Sequence, residues 1–124
     1  LVEKLGIQEN VKFFDFFENH ANLYALMKSS RVFVFPSTRE GFGIVAIEAS
    51  STGLPVIASD CEGIRDAIIP GKTGTLVIPQ DSNTFIQLLK HLPNTNKQAI
   101  RKTTEQKYSW KSIGKAYINQ FQRL

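Results

Sequence analysis

The sequence is poor in cysteine, because Cys61 is the single cysteine among 124 residues. One thiol cannot form an internal disulfide, which slightly favours a reducing, cytoplasmic compartment. No apolar run approaches the roughly 20 residues that a membrane-spanning helix needs, and no signal peptide is visible. The chain begins with Leu1 rather than methionine, so we expect it to be a piece of a longer protein.

The sequence also has few residues of the kinds that bind metals or form catalytic triads. Its two histidines, His20 and His91, lie in unrelated contexts and predict neither a metal pair nor a triad. It has no Asp-x-Asp motif, which a metal-bridged diphosphate site would use. No Gly-x-Gly-x-x-Gly follows a predicted strand, and this argues against a Rossmann dehydrogenase.

The composition is that of one globular domain, with 42% apolar and 21% charged residues. The net charge of +4 is unevenly placed, since eight Lys or Arg residues and one acid, Glu105, lie from Lys90 onward. A solvated helix surface is the plainest interpretation; peripheral contact with anionic lipid, or with another domain, is the alternative. Nucleic acid is a poorer partner, because the aromatic residues in this region follow a helical core period.

Short apolar runs alternate with helical patterns along the chain. The predicted strands are Val11–Phe14, Val32–Phe35, Pro55–Ala58 and Thr75–Ile78. The predicted helices are Asn22–Ser29, Gly43–Ser51, Ser82–His91, Lys97–Lys107 and a last helix capped by Ser109. Two of these helices have apolar residues spaced three or four positions apart or adjacent to one another, as on the buried face of a helix. They are Phe85, Leu88 and Leu89 in Ser82–His91, and Trp110, Ile113, Tyr117 and Phe121 in the last helix. This alternation predicts an α/β fold with a partial Rossmann-like parallel sheet and flanking helices.

Two glutamates flank a glycine-rich turn between a predicted strand and a predicted helix. Glu40 lies on the turn and Glu48 lies in the helix, eight positions later. If the whole stretch rose as a helix, they would be about 12 Å apart. The free N–H groups of a helix N-terminus, which bind phosphate, lie between them. A ligand with hydroxyls at both ends and a diphosphate in the middle, such as a nucleotide-sugar, fits this order.

The segment from Pro36 to Ala49 resembles the E-x7-E signature of the retaining GT-B glycosyltransferases of family 4. Further similarity follows at Gly53–Asp60, at Gly71–Gly74 and at Tyr108–Trp110. The resemblance implies that residues 1–124 are an incomplete nucleotide-sugar (donor) binding domain, the C-terminal half-domain of a GT-B fold. The glycine-rich turn and basic residues that clamp the diphosphate, and the whole acceptor domain, would be absent.

The resemblance further implies a parent enzyme that moves a sugar from a nucleoside diphosphate sugar to a hydroxyl of a glycan or lipid-linked acceptor. The transfer would need no metal or other cofactor. The fragment alone is expected to be inactive. A GT-B sugar-nucleotide epimerase relative, or a non-catalytic nucleotide-binding or interaction module, is the alternative.

By the same resemblance, Glu40 is the catalytic residue and orients the donor sugar, while Glu48 binds the ribose hydroxyls. The residues expected to contact the donor are Phe17, Glu40, Gly41, Phe42, Gly43, Ile44, Val45 and Glu48. Phe17 would border the base, although a packing role before the next helix is about equally expected. The plainer alternatives are a solvated Glu40 and a structural Glu48 held by backbone N–H groups. For Phe42, Ile44 and Val45, packing is the expected role of the side chain.

Two segments depart from the family pattern. Asp15 stands where the family usually has glycine, which affects the turn near the base. The segment Cys61–Asp66 stands where the family commonly has two glycines and a later glutamate. Its acids Glu62 and Asp66 either alter the lip of the cleft or are merely tolerated there.

The missing first strands of a Rossmann order would lie between Val11–Phe14 and Val32–Phe35. A chain that folds alone must therefore move Val11–Phe14 beside Val32–Phe35, or pair its exposed strand edges with another chain. We predict self-association or marginal stability for residues 1–124 expressed alone. Sedimentation and calorimetry measure both properties, and a monomer that melts cooperatively would contradict the prediction.

Overall fold

The computed structural model describes residues 1–123 and contains a three-stranded parallel sheet in the order β1-β2-β3. The strands are β1 (Phe33–Phe35), β2 (Val56–Ser59) and β3 (Gly74–Val77). The helices are α1 (His20–Ser29), α2 (Ile44–Ser51), α3 (Ile64–Ala67), α4 (Ser82–Lys90), α5 (Lys97–Tyr108) and α6 (Trp110–Phe121). A short 3-10 helix, Gln8–Asn10, precedes them. The predicted α/β class is confirmed, and α3 is an element that the sequence pattern did not predict.

The central strand β2 is buried along its whole length. Its register pairs Phe33 with Val56 on one side and Val56 with Gly74 on the other. Because α2 and α3 form the crossovers between the strands, the three carboxyl ends meet at one edge of the sheet. The loops that leave that edge are 36–43 after β1, 60–63 after β2 and 78–81 after β3.

The two faces of the sheet are covered by different helices. On one face, Ala46 and Ala49 of α2 are fully buried and belong to the cluster that contains Val56 and Ala58 of β2. Met27 of α1 completes this packing. The other face carries a smaller cluster of Ile57, Val77 and Phe85. The alternation of residues along β2 between the two clusters is the period-two pattern of a buried strand.

Side chains cap the N-termini of four helices. The capping residues are Asn19, Asp81, Asn96 and Ser109, for α1, α4, α5 and α6. The predicted cap at Ser109 is confirmed, and of the two candidates for α4 it is Asp81 that accepts from the Thr84 N–H at 3.0 Å. Hydrogen bonds from the side chain and backbone of Thr84 lower the pKa of Asp81.

The prediction of a strand at Val11–Phe14 is wrong for this chain. Residues 11–17 carry no strand or helix, and Phe13 and Phe16 are about four-fifths exposed. An extended segment becomes a strand only when a neighbour accepts its backbone hydrogen bonds. In the described residues the sheet begins at β1, and no strand lies beside Val11–Phe14.

The helical pattern at the C-terminus is confirmed, but the inward orientation of its aromatic residues is wrong. Trp110 is 89% exposed, Tyr117 65% and Phe121 70%. The reason is that α6 packs mainly on α5. Leu89 of α4 is likewise more exposed than its pattern predicted, while Phe85 is buried. Within residues 1–123 no helix is long and apolar enough to cross a membrane.

The contact between β2 and β3 depends on the absence of a side chain at Gly74. A Cβ there would lie 2.3 Å from the Val56 carbonyl oxygen, whereas a Cβ at Gly114 in α6 would meet nothing within 4 Å. We expect Gly74→Ala to lower the free energy of unfolding by about 1–3 kcal/mol through overpacking. Gly114→Ala, the matched control, should raise it by about 0.5–1 kcal/mol through helix propensity. Chemical denaturation of the full-length protein measures both, and equal effects would contradict this packing.

Candidate functional site

The candidate site lies at the carboxyl edge of the parallel sheet. The loop 36–43 joins β1 to α2, and the loop 60–63 joins β2 to α3. Thr38, Arg39, Glu40 and Gly41 from the first loop line a shallow depression with Cys61 and Glu62 from the second. Ligands of open α/β sheets bind at the carboxyl ends of the strands. The topology therefore brings the predicted E-x7-E segment to the edge where such ligands bind.

The N-terminus of α2 carries no side-chain cap. Gly43 is the residue before the helix, with φ 71° and ψ 39°, and no side chain caps it. It is also buried, and a Cβ added there would lie 3.4 Å from the Ala67 Cβ and 3.5 Å from the Ile64 side chain. The first N–H groups of the helix, at Ile44 and Val45, have no partner inside the helix. They and the helix dipole favour a negative group at this position.

Glu40 lies on the turn as predicted and is exposed. Its Oε1 accepts a hydrogen bond from the Gly41 N–H at 3.1 Å. The turn is held from within by the Ser37 hydroxyl, which donates to the Arg39 carbonyl oxygen at 2.8 Å. The Cys61 thiol, 3.6 Å from the Ser37 carbonyl oxygen, connects the two loops. The carboxylate is thus solvent-accessible on an ordered turn.

Glu48 lies in the second turn of α2 and is half-buried. The Tyr24 hydroxyl of α1 donates to its Oε1 at 3.4 Å. Among residues 1–123 no backbone N–H group donates to the Glu48 carboxylate, which differs from the alternative in which such groups hold it. The 12 Å separation expected for a wholly helical segment does not apply either, since the helix begins only at Ile44.

The structure brings together seven of the eight predicted site residues as one turn and the helix that follows it. Phe17 is not among them: its half-buried ring stacks on Phe14, with centroids 5.2 Å apart. Val45 packs against the core, as predicted. Phe42 and Ile44 do not, because they are 43% and 64% exposed. Both side chains are therefore free to face a ligand.

Gly63 is a site residue that sequence reasoning missed. A Cβ at this position would lie 2.5 Å from the Glu40 carbonyl oxygen and 2.6 Å from that of Gly41. Its φ of 87° also suits glycine. The backbone that carries Glu40 therefore rests directly on Gly63. The Cys61–Asp66 segment stands out in the sequence as unusual, but a single sequence gives no sign that the two loops touch.

An ion pair joins the loop after β2 to α3. The Arg65 Nε donates to Asp60 Oδ1 at 2.5 Å, and this hydrogen bond raises the pKa of Arg65. The Asp60 N–H donates to the Val77 carbonyl oxygen at 2.7 Å, which fixes the start of the loop on β3. In residues 1–123 no three His, Cys, Asp or Glu side chains are grouped closely enough to hold a metal ion.

Known proteins resemble this chain over nearly all of its length. A family model described as "Glycosyl transferases group 1" matches residues 1–109. The D-inositol 3-phosphate glycosyltransferase of Corynebacterium urealyticum is 32% identical over 129 aligned positions, covering 100% of this chain and 30% of that protein. The chain thus spans about a third of the length of such relatives.

Solved structures agree with the sequence comparison. The lipopolysaccharide outer core galactosyltransferase WaaB, in its apo form, superposes with a TM-score of 0.83 at 27% identity, covering 99% of this chain and 36% of that one. The Anabaena protein HepE, solved in complex with UDP, gives a TM-score of 0.78 at 25% identity, with 99% and 35% covered. Both structural superpositions include the Glu40–Glu48 segment.

The support of Glu40 by Gly63 leads to a prediction with a matched control. Gly63→Ala and Gly71→Ala both place alanine at a positive φ, but a Cβ at Gly71 meets nothing within 4 Å. Both substitutions therefore strain the backbone at a positive φ, and the clash with the Glu40 turn belongs to Gly63→Ala alone. We expect Gly63→Ala to shift the backbone amide NMR resonances of Glu40 and Gly41. If Gly71→Ala shifts these resonances equally, the loops do not touch as described.

Proposed function

This chain belongs to the glycosyl transferases of group 1, and from that premise we propose that it forms part of a domain that binds a nucleoside diphosphate sugar. Its fold is part of the GT-B fold. The observation that carries the proposal is the placement of Glu40 and Glu48 on either side of the uncapped, glycine-initiated N-terminus of α2. The UDP in the related HepE structure supports a nucleoside diphosphate as the ligand class.

The diphosphate occupies the N-terminus of α2 in this proposal. The N–H groups of Ile44 and Val45 have no helical partner, and Gly43 provides no side-chain cap for them. When the bond between the sugar and the diphosphate breaks, negative charge grows on the leaving phosphate. The helix dipole and the N–H groups stabilise this charge without having to reorganise.

The two carboxylates bind the two ends of the donor. Glu40, exposed on its turn, accepts hydrogen bonds from the hydroxyls of the donor sugar and orients its anomeric carbon. Glu48 accepts from the ribose hydroxyls, as acidic residues do in dinucleotide-binding folds. Gly41 and Phe42 lie between the two ends, where the backbone and the exposed ring meet the sugar. We propose that the sugar is transferred to a hydroxyl of a glycan or lipid-linked acceptor with retention of its anomeric configuration and without a metal.

We also propose that residues 1–124 are an incomplete domain, and that the rest of a longer protein supplies its remaining strands and the acceptor domain. We place this protein in the cytoplasm or at the periphery of a membrane. The support is the apolar surface left open at both ends of the chain. At one end Phe13 and Phe16 are exposed, and at the other Trp110, Tyr117 and Phe121. Surfaces of this kind are covered by other parts of a protein, by partners or by lipid.

The roles of the two glutamates predict different losses in the full-length protein. Glu40→Gln should lower kcat by about 100-fold through misplacement of the sugar, with little change in UDP affinity, because Glu40 contacts the sugar and not the nucleotide. Glu48→Gln should weaken UDP binding by about tenfold, the value of a hydrogen bond to a charged group. Calorimetric titration with UDP and assays of UDP release from UDP-sugars measure these effects.

Glu105→Gln is the matched control, since Glu105 is an exposed carboxylate on α5, and it should leave both quantities unchanged. GDP, ADP and the corresponding GDP-sugars and ADP-sugars are tested in the same titrations and assays, because the site does not specify the base. A full-length protein that binds a nucleoside diphosphate but never transfers a sugar would favour the binding-module alternative. One that binds none of the three would contradict the proposal.

A further inference from the structure

The Glu48 carboxylate has one side-chain donor among the described residues, and it comes from a different helix. The Tyr24 hydroxyl of α1 lies 3.4 Å from Glu48 Oε1 of α2, across 24 positions of sequence. We infer that Tyr24 is a positioning residue that orients Glu48 and thereby makes the site selective for ribose over 2′-deoxyribose. This inference rests on the proposed function, because it requires Glu48 to meet the ribose.

The packing of α1 explains why Tyr24 reaches α2. Leu23 and Met27, four residues apart, face the core cluster that includes Ala46 and Ala49 of α2. Their burial fixes the rotation of α1 about its axis. Tyr24 follows Leu23 by one position, about 100° around the helix, and this places its ring beside the flank of α2 that carries Glu48. The contact between Tyr24 and Glu48 therefore follows from the packing of Leu23 and Met27 in the core.

The ring of Tyr24 is restrained from its own helix as well. His20 lies one turn earlier on the same face, and its ring meets that of Tyr24 edge-on, with centroids 6.2 Å apart. Tyr24 is 37% exposed as a whole residue, and its hydroxyl contacts Glu48 across the two helices. A restrained donor restricts the rotamers of the carboxylate that it binds.

A carboxylate has two oxygens and can accept several hydrogen bonds. With the Tyr24 hydroxyl on Oε1, the second oxygen is left for the ligand in a fixed orientation. Vicinal ribose hydroxyls are well matched to such an acceptor, whereas a 2′-deoxyribose offers one hydroxyl fewer. Without Tyr24 the orientation of the carboxylate is less restricted, and it distinguishes the two sugars less well. The chemical class that Tyr24 selects is thus a ribonucleoside diphosphate.

The experiment compares ribose and deoxyribose ligands in the full-length protein. Wild type is titrated with UDP, GDP and ADP, and the tightest binder is then compared with its 2′-deoxy analogue. For Tyr24→Phe, which keeps the ring, we expect the ratio of the two dissociation constants to fall by about threefold to tenfold, as for the loss of one hydrogen bond. Tyr117→Phe, which removes the hydroxyl of a tyrosine on α6 outside the candidate site, should leave the ratio unchanged.

A merely structural tie between α1 and α2 would lower the melting temperature of Tyr24→Phe without changing the ratio, and that result overturns the inference. The kcat at saturating donor should stay within about twofold, since Tyr24 touches neither the sugar nor the acceptor in this scheme. A Glu48→Gln background gives a second test. There Tyr24→Phe should have no further effect on the ratio, and additive effects would show that the two residues act independently.

The outcomes separate this inference from the proposed function. If wild type binds one of the three diphosphates and prefers ribose, but Tyr24→Phe keeps the full preference, the inference fails and the proposed function stands. If wild type binds without distinguishing ribose from deoxyribose, the assignment of Glu48 to the ribose fails, and the role of Tyr24 fails with it. If wild type binds none of the three, the proposed function fails first.

Discussion

The close packing of α2 on the sheet is the constraint on which the rest of the structure depends. Ala46 and Ala49 are fully buried, and such small side chains let the helix axis approach Val56 and Ala58 of β2. Gly43 then has to turn the chain from the end of β1 into this helix within a buried, left-handed conformation. The same geometry leaves the first N–H groups of α2 uncapped at the carboxyl edge of the sheet. This packing therefore supplies the uncapped helix end at which we propose that the diphosphate binds.

The two carboxylates depend on neighbours that are distant in sequence. Glu40 lies on a turn whose carbonyl oxygens rest against Gly63, and Glu48 is met by the Tyr24 hydroxyl. The first contact comes from the loop after β2 and the second from α1, so both elements must be packed before the site exists. The exposed Phe42, by contrast, depends on no partner in the described residues and is available to a ligand.

The local features of this fold could be predicted from the sequence, because they follow from short-range patterns. The strand before Pro36, the helix after Gly43 and the cap at Ser109 lie where the pattern placed them, within one or two residues. Val11–Phe14 has the composition of a strand, yet its state depends on whether a neighbouring strand is present. Trp110 follows the helical period, but this period does not predict whether another element packs against its side chain. The Gly63 and Tyr24 contacts are tertiary, and a single sequence carries no signal for them.

The most direct test of the donor site is a crystal structure of the full-length protein with the tightest binder among UDP, GDP and ADP bound. We expect the β-phosphate to lie within about 3 Å of the N–H groups at the start of α2, a normal hydrogen-bond distance. We also expect the ribose hydroxyls to meet the Glu48 carboxylate. Density for the nucleotide at the amino edge of the sheet, or with its ribose away from Glu48, would contradict the central claim that this turn and helix form the donor site.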